Sequence, residues 1–188
     1  GLGSRLTRVF SAMELALFSE DALQWPWAAR EAAAKALRLE GGLWQLPLPS
    51  MEVRPSADGS LRFQPGPEAE ALWASRGVDD VRLRCGSVGG HALVVATAIG
   101  LGGGSFQVRW GARPADGDPS AMARQIVMDM AHIPEDWRWS GGGQKAPMLH
   151  PPTRELDREG RSPAPLFSLS HDGHLAAGVV AMGLDAAP

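Results

Sequence analysis

Glu31, Lys35 and Arg38 recur at helical spacing within the stretch Trp25-Pro26-Trp27-Ala28-Ala29-Arg30-Glu31-Ala32-Ala33-Ala34-Lys35-Ala36-Leu37-Arg38-Leu39. On a helix the three share one face. A carboxylate one turn before a lysine, left exposed, adds a few tenths of a kcal/mol, roughly 0.2–0.5, to helix stability. The same spacing suits a second task, in which the carboxylate holds a hard cation and the lysine neutralises phosphate. Mg²⁺ is bound by one or two carboxylates together with substrate phosphates, which fits such a face. A second group of candidates lies far downstream, in Phe167-Ser168-Leu169-Ser170-His171-Asp172-Gly173.

The first group needs a helix, and composition predicts one over 25–39. Alanine and leucine are strong helix formers, Pro26 falls in the first turn where proline is tolerated, and Glu40-Gly41-Gly42 supplies a glycine stop. Apolar residues at helical spacing predict another helix over 6–19. Alternation around Pro55–Ser60 predicts a hairpin of 51–54 with 61–63. A helix over 67–76 ending at Gly77 follows, then strands over 78–84 and 91–99, the latter apolar enough to be buried on both faces. Beyond the glycine-rich string 101–105 the pattern predicts a strand over 106–110. An amphipathic helix over 120–132 comes next, with Met122, Ile126, Val127 and Met130 inward. A long loop over 137–152 and a short capped helix over 153–159 complete the expectation.

Bulk properties narrow the function classes. The 188 residues carry a net charge of −3 with no run of Lys or Arg, which argues against nucleic acid as a partner. The single cysteine, Cys85, forms no internal disulfide and points to a reducing compartment. With no apolar run of spanning length and no basic-then-apolar leader, the expected location is cytoplasmic, away from membrane. His132 and His150 lack metal-ligand spacing. Ser87 fails the nucleophile-elbow frame.

Two strings carry a family resemblance. Trp27-Ala28-Ala29-Arg30-Glu31-Ala32 with Lys35 resembles the W-x-x-K-E-A-x-x-K signature of the 4'-phosphopantetheinyl transferases. Ser168-Leu169-Ser170-His171-Asp172, followed by an apolar strand, resembles that superfamily's S-x-S-H-[DS] signature. Arg8-Val9-Phe10-Ser11-Ala12-Met13-Glu14 is similar to a third family segment, R-[VI]-[FL]-[ST]-x-x-E. Arg30 departs from the family's lysine, and the family's N-terminal G-[IV]-D strand, whose aspartate is a metal ligand, has no match in Gly1-Leu2-Gly3-Ser4.

The chain also resembles itself. From Val81 to Ala96 it runs in register with the Ser-His-Asp region, with Gly86, Ser87 and Val88 in the places of Ser170, His171 and Asp172. His91 and His174 are read as equivalent. The expectation is an α+β fold of two fused transferase-like modules, a pseudo-dimer in which each antiparallel sheet packs against a long helix. Residues 1–101 carry the Glu/Lys helix and residues 102–188 carry Ser-His-Asp. Gln125 or Asp129 is expected near the place that Glu31 holds in the first module.

The resemblance implies Mg²⁺-dependent transfer of 4'-phosphopantetheine from coenzyme A to a serine of an acyl carrier protein, with the active site between two modules. It implies Glu31 as metal ligand and, directly or through a water, proton acceptor. Lys35 balances charge on the departing 3',5'-ADP. Ser170, His171, Lys35, Arg30 and Arg8 are the implied coenzyme A contacts. An integrated domain of an enediyne-type iterative polyketide synthase is one setting for such a chain. The competing expectation is a catalytically degenerate transferase fold that serves as a structural or carrier-docking module.

Overall fold

The structure is a computed structural model that describes residues 6–39, 41–100, 106–142, 145–152 and 166–183. It is a mixed helix-and-strand fold with small antiparallel sheets. The chain divides into two compact units, Gly1–Gly103 and Gly104–Pro188. Among the described residues no helix is long and apolar enough to cross a membrane.

The first unit opens with α1 (Ala12–Leu17), shorter than the helix expected over 6–19. A capping box fixes its start: the Ser11 hydroxyl accepts from Glu14 N at 3.1 Å, and the Glu14 carboxylate accepts from Ser11 N at 2.8 Å. A 3₁₀ turn, Glu20–Leu23, leads into α2 (Gln24–Ala36). This helix stops before Leu39, and glycine does not stop it. Arg38 takes a left-handed backbone at φ 53. Its N–H donates to Lys35 O at 3.1 Å, and Leu39 N–H donates to Ala34 O at 3.0 Å. These are the two bonds of a Schellman motif, closed here by arginine.

The hairpin follows, with β1 (Met51–Pro55) antiparallel to β2 (Leu61–Pro65) and Val53 opposite Phe63. Helix α3 (Pro67–Ser75) ends against Gly77. Strands β3 (Val78–Val88) and β4 (His91–Gly100) pair antiparallel. Gly89 and Gly90 both have positive φ at their turn, the pattern of a type I′ hairpin. Helix α2 packs on β4. Ala29, Ala33, Ala34 and Leu37 join Met51, Val53 and Trp73 in one core. Most of β4 is only partly buried, Val95 being its one fully buried residue, so burial on both faces is overturned. An apolar β-branched run lets a strand be buried on both sides without requiring it.

The second unit begins with β5 (Phe106–Pro114) and α4 (Pro119–Ala131), whose N-cap Asp118 accepts from Ser120 N at 2.9 Å. The segment 137–152 is not a long loop. It forms a hairpin, β6 (Arg138–Gly142) with β7 (Lys145–His150), in which Trp139 faces Leu149. Strands β8 (Leu166–Asp172) and β9 (Leu175–Gly183) complete a three-stranded sheet in the order β5-β9-β8. The helix expected over 153–159 lies outside the described residues. Helix α4 lies on β9 at its smallest residue. A Cβ added to Gly178 would stand 2.8 Å from Val127 Cγ2 and 3.2 Å from Ile126 Cγ2.

Candidate functional site

Helix α2 sorts its residues by side. Pro26, Ala29, Arg30, Ala33 and Ala34 are buried, whereas Glu31 and Lys35 are exposed one turn apart. The alanine side seats the helix on β4, which leaves the Glu31 side to solvent. Arg38 is exposed as well, but its left-handed backbone takes it off the helix. Although Lys35 presents area to solvent, desolvation lowers its ammonium pKa from the ordinary lysine value, and the Glu31 charge pulls it back upward. A lysine held this way gives up its proton more readily than a free one and has less hydration to lose on meeting an anion. Trp27, one turn before Glu31, meets Trp44 edge-on at 6.3 Å between centroids, and Trp44 is 72% exposed.

Arg30 does not belong to that exposed side. It is fully buried, and its Nη2 donates to both Glu14 oxygens at 2.7 and 2.6 Å. Its Nε donates to Leu48 O and its Nη1 to Pro26 O, each at 3.3 Å, and its guanidinium lies 5.4 Å from the Phe10 ring centroid. Glu14, equally buried, also accepts from Val53 N at 2.8 Å. The arginine expected to grip coenzyme A is committed to the interior of its own unit. Arg8 is exposed, in the turn before α1. The signal for Glu14 lay in the sequence as the box Ser11-x-x-Glu14. That signal predicts a cap and says nothing of the arginine that the same carboxylate receives.

In the second unit Ser170 and His171 are both exposed near the end of β8, opposite Ala177 and Ala176. Successive strand residues point to opposite faces. His171 therefore shares its face with Leu169 and Ala176, which pack with α4, and Ser170 lies on the reverse face. The pair offers an imidazole and a hydroxyl in two directions.

The turns also correct the equivalence read between two histidines. Gly89-Gly90 and Gly173-His174 are the corresponding turn residues, so His174 answers to Gly90, while His91 answers to Leu175 as first residue of its strand. In the same register Ser87 answers to His171, each directly opposite an alanine, Ala92 and Ala176.

The two long helices are alike in length and in how they end. Each has 13 residues. Helix α4 also closes in a Schellman motif, with His132 at φ 52, His132 N donating to Asp129 O and Ile133 N to Met128 O. With Arg38 and His132 superposed, Ala29 falls on Ala123, both at 0% exposure, and Arg30 falls on Arg124. Glu31 then falls on Gln125 and Lys35 on Asp129. The second pair is joined by a hydrogen bond from Gln125 Nε2 to Asp129 Oδ1 at 2.8 Å, and Asp129 also receives Arg113 at 3.1 Å.

Among the described residues no group of three or more His, Cys, Asp or Glu could hold a metal ion. Glu31 offers one carboxylate, which fits a Mg²⁺ shell completed by phosphate oxygens and water. No family model, curated protein or solved structure matches the chain.

Proposed function

We propose that the protein is a Mg²⁺-dependent 4'-phosphopantetheinyl transferase acting on an acyl carrier protein, built from two modules derived from one ancestral unit. The observation that carries this reading is the contrast between equivalent helix positions. Glu31 and Lys35 stand exposed one turn apart in the first unit, and Gln125 and Asp129 stand in their place in the second. The hairpins divide the other way, with Ser170 and His171 in the second unit against Gly86 and Ser87 in the first. Each unit thus retains the half that the other has lost.

In the reaction the carrier serine oxygen bonds to the phosphorus bearing pantetheine, the bond from that phosphorus to the oxygen of 3',5'-ADP breaks, and the serine proton passes to the Glu31 carboxylate, directly or through a water. Phosphoryl transfer of this kind is mostly positioning and charge neutralisation. Glu31 is the residue to hold Mg²⁺, which when bound neutralises pyrophosphate charge. Lys35 balances the negative charge that grows on the departing nucleotide. Its partial desolvation strengthens that contact, because a less hydrated cation loses less water when it pairs. Near the end of β8, Ser170 and His171 face opposite ways, so they are assigned to separate phosphate groups of coenzyme A, and exposed Arg8 is a further cation in the first unit. Arg30 has no part in the ligand set.

Incubation of the chain with an apo carrier protein, coenzyme A and Mg²⁺ tests the reading by the mass gain of one phosphopantetheine. Glu31→Gln is expected to abolish the gain while circular dichroism stays unchanged. A carrier that binds but is never modified by the wild-type chain overturns the transferase reading in favour of a docking module.

A further inference from the structure

We propose that Glu14 is a positioning residue: through Arg30 it fixes the rotation of α2 about its axis, and so the direction in which Glu31 and Lys35 face. The inference rests on the transferase reading for its consequence in catalysis, and on geometry for the rest. A buried ion pair is seldom worth more than a well-packed apolar pair of similar volume, so stability alone gives weak reason for one here. On helix α2 the fully buried apolar side is alanine at Ala29, Ala33 and Ala34, whose methyl groups make low ridges. Trp25 and Trp27 pack beside them only partly buried, so a buried polar contact adds register that the alanine side does not give.

Glu14 supplies that register. Its Oε1 accepts from Val53 N of β1 and from Arg30, and its Oε2 accepts from Ser11 N of α1 and from Arg30. One carboxylate therefore ties α1, β1 and α2 together. Arg30 Nε extends the tie to Leu48 O, in the 3₁₀ turn before β1. Because Arg30 precedes Glu31 directly, a guanidinium held inward at four contacts turns the next residue outward by the helical step.

The second unit carries an internal comparison. Arg124 holds the position of Arg30, but its guanidinium lies 5.9 Å from the Trp139 ring centroid and its buried Nε has no hydrogen-bond partner. Among the described residues Arg124 forms no ion pair, and the pair beside it is Gln125 with Asp129. The carboxylate clamp accompanies the unit that keeps Glu31 and Lys35.

The decisive variant in the full chain is the apolar pair Glu14→Leu with Arg30→Met, which removes the clamp without stranding a buried charge. Turnover with apo carrier is measured beside the ¹³C NMR titration of reductively methylated Lys35. We expect a folded variant whose kcat falls at least about tenfold, in keeping with the roughly hundredfold cost of a 1 Å misplacement. The KM for coenzyme A stays within about twofold of wild type, and the Lys35 titration moves toward that of a free lysine. A folded pair variant with wild-type kcat overturns the proposal. If the wild-type chain has no transferase activity, that reading fails separately and the titration decides the geometry, an unmoved Lys35 overturning the positioning role. Should the apolar pair not fold, Glu14→Gln replaces it. A folded Glu14→Gln chain with kcat and Lys35 titration both unchanged overturns the proposal, and a fall in kcat with a shifted titration supports it.

Discussion

Arg38 and His132 hold the same position in two different helices. Each is the left-handed residue that closes a Schellman motif, and among the described residues they are the only non-glycine positions with positive φ. The position costs any residue with a Cβ about 1–2 kcal/mol relative to glycine. A positive side chain close to a helix C-terminus returns about 0.3–1 kcal/mol of that. Arg38→Gly is therefore expected to stabilise the protein by about 0.5–1 kcal/mol. The gain should appear in urea as a higher midpoint with an unchanged slope. His132→Gly should gain less, because Arg109 Nη1 lies 3.5 Å from His132 Nε2. A lower midpoint for Arg38→Gly would show that the Arg38 side chain contributes more than its backbone costs.

Lys35 makes the electrostatics directly measurable, since Lys35 and Lys145 are the only lysines in the sequence. Reductive ¹³C-methylation gives each its own NMR signal. Lys35 should titrate below the ordinary lysine value, because desolvation disfavours its charged form. Glu31 acts in the opposite direction, so Glu31→Gln should lower the Lys35 pKa further. The linkage has a fixed sign. With its folded pKa below its unfolded one, Lys35 lets stability rise with pH between the two values and withdraws that gain as pH falls through the folded one. A Lys35 signal that titrates at the ordinary lysine value in the wild type removes the desolvated cation from the proposed site.

Much of the fold was legible because it is local. The 51–65 hairpin, the helix after Pro67 and the helix over 120–132 follow from alternation, N-cap chemistry and apolar period. The ends of α1 and α2 differ from the expected ones for a common reason. Period alone does not show where a cap forms, and the usual glycine stop at 41 and 42 lies beyond the arginine that closes α2. The hairpin over 138–150 was hidden behind Gly141 and its neighbours. What stabilises it is long-range: Trp139 meets Phe167 edge-on at 4.9 Å, across a separation no window of sequence spans. The candidate site divides in the same way. Helical spacing sufficed to put Glu31 and Lys35 on one exposed side. The burial of Arg30 could not be read, because its partner Glu14 stands on another element.

Gly178 shows how closely α4 is seated on its sheet. An alanine there would press its methyl to 2.8 Å from Val127 Cγ2 and 3.3 Å from Ala123 O, the second a backbone atom with little room to move. Gly178→Ala should destabilise the chain by about 1–3 kcal/mol, the usual cost of overpacking a filled core. Val127→Ala in the same chain should recover part of the loss by clearing the closer of the two contacts. That recovery appears as a coupling energy in a double-mutant cycle. Strictly additive losses would show that α4 shifts freely to accept the new methyl group.

Whether one chain suffices for turnover is decided by mixing variants. Glu31→Gln removes the carboxylate of the first unit and leaves Ser170 and His171 intact, and His171→Ala does the reverse. If both half-sites of one chain serve a single coenzyme A, every chain in the mixture carries one defect, and turnover stays at the average of the two variants alone. If the Glu31 of one chain serves the His171 of another, mixing joins an intact carboxylate to an intact imidazole and turnover rises well above that average. Both variants change exposed side chains, where substitutions away from caps and cores shift stability by only about 0.5 kcal/mol. Misfolding is therefore a poor explanation for either result, and matched thermal melts check it. Recovery on mixing would leave the transferase chemistry standing and transfer the functional unit from the single chain to an assembly of chains. Its absence, with both variants individually inactive, is the result that a fused pair of half-sites requires.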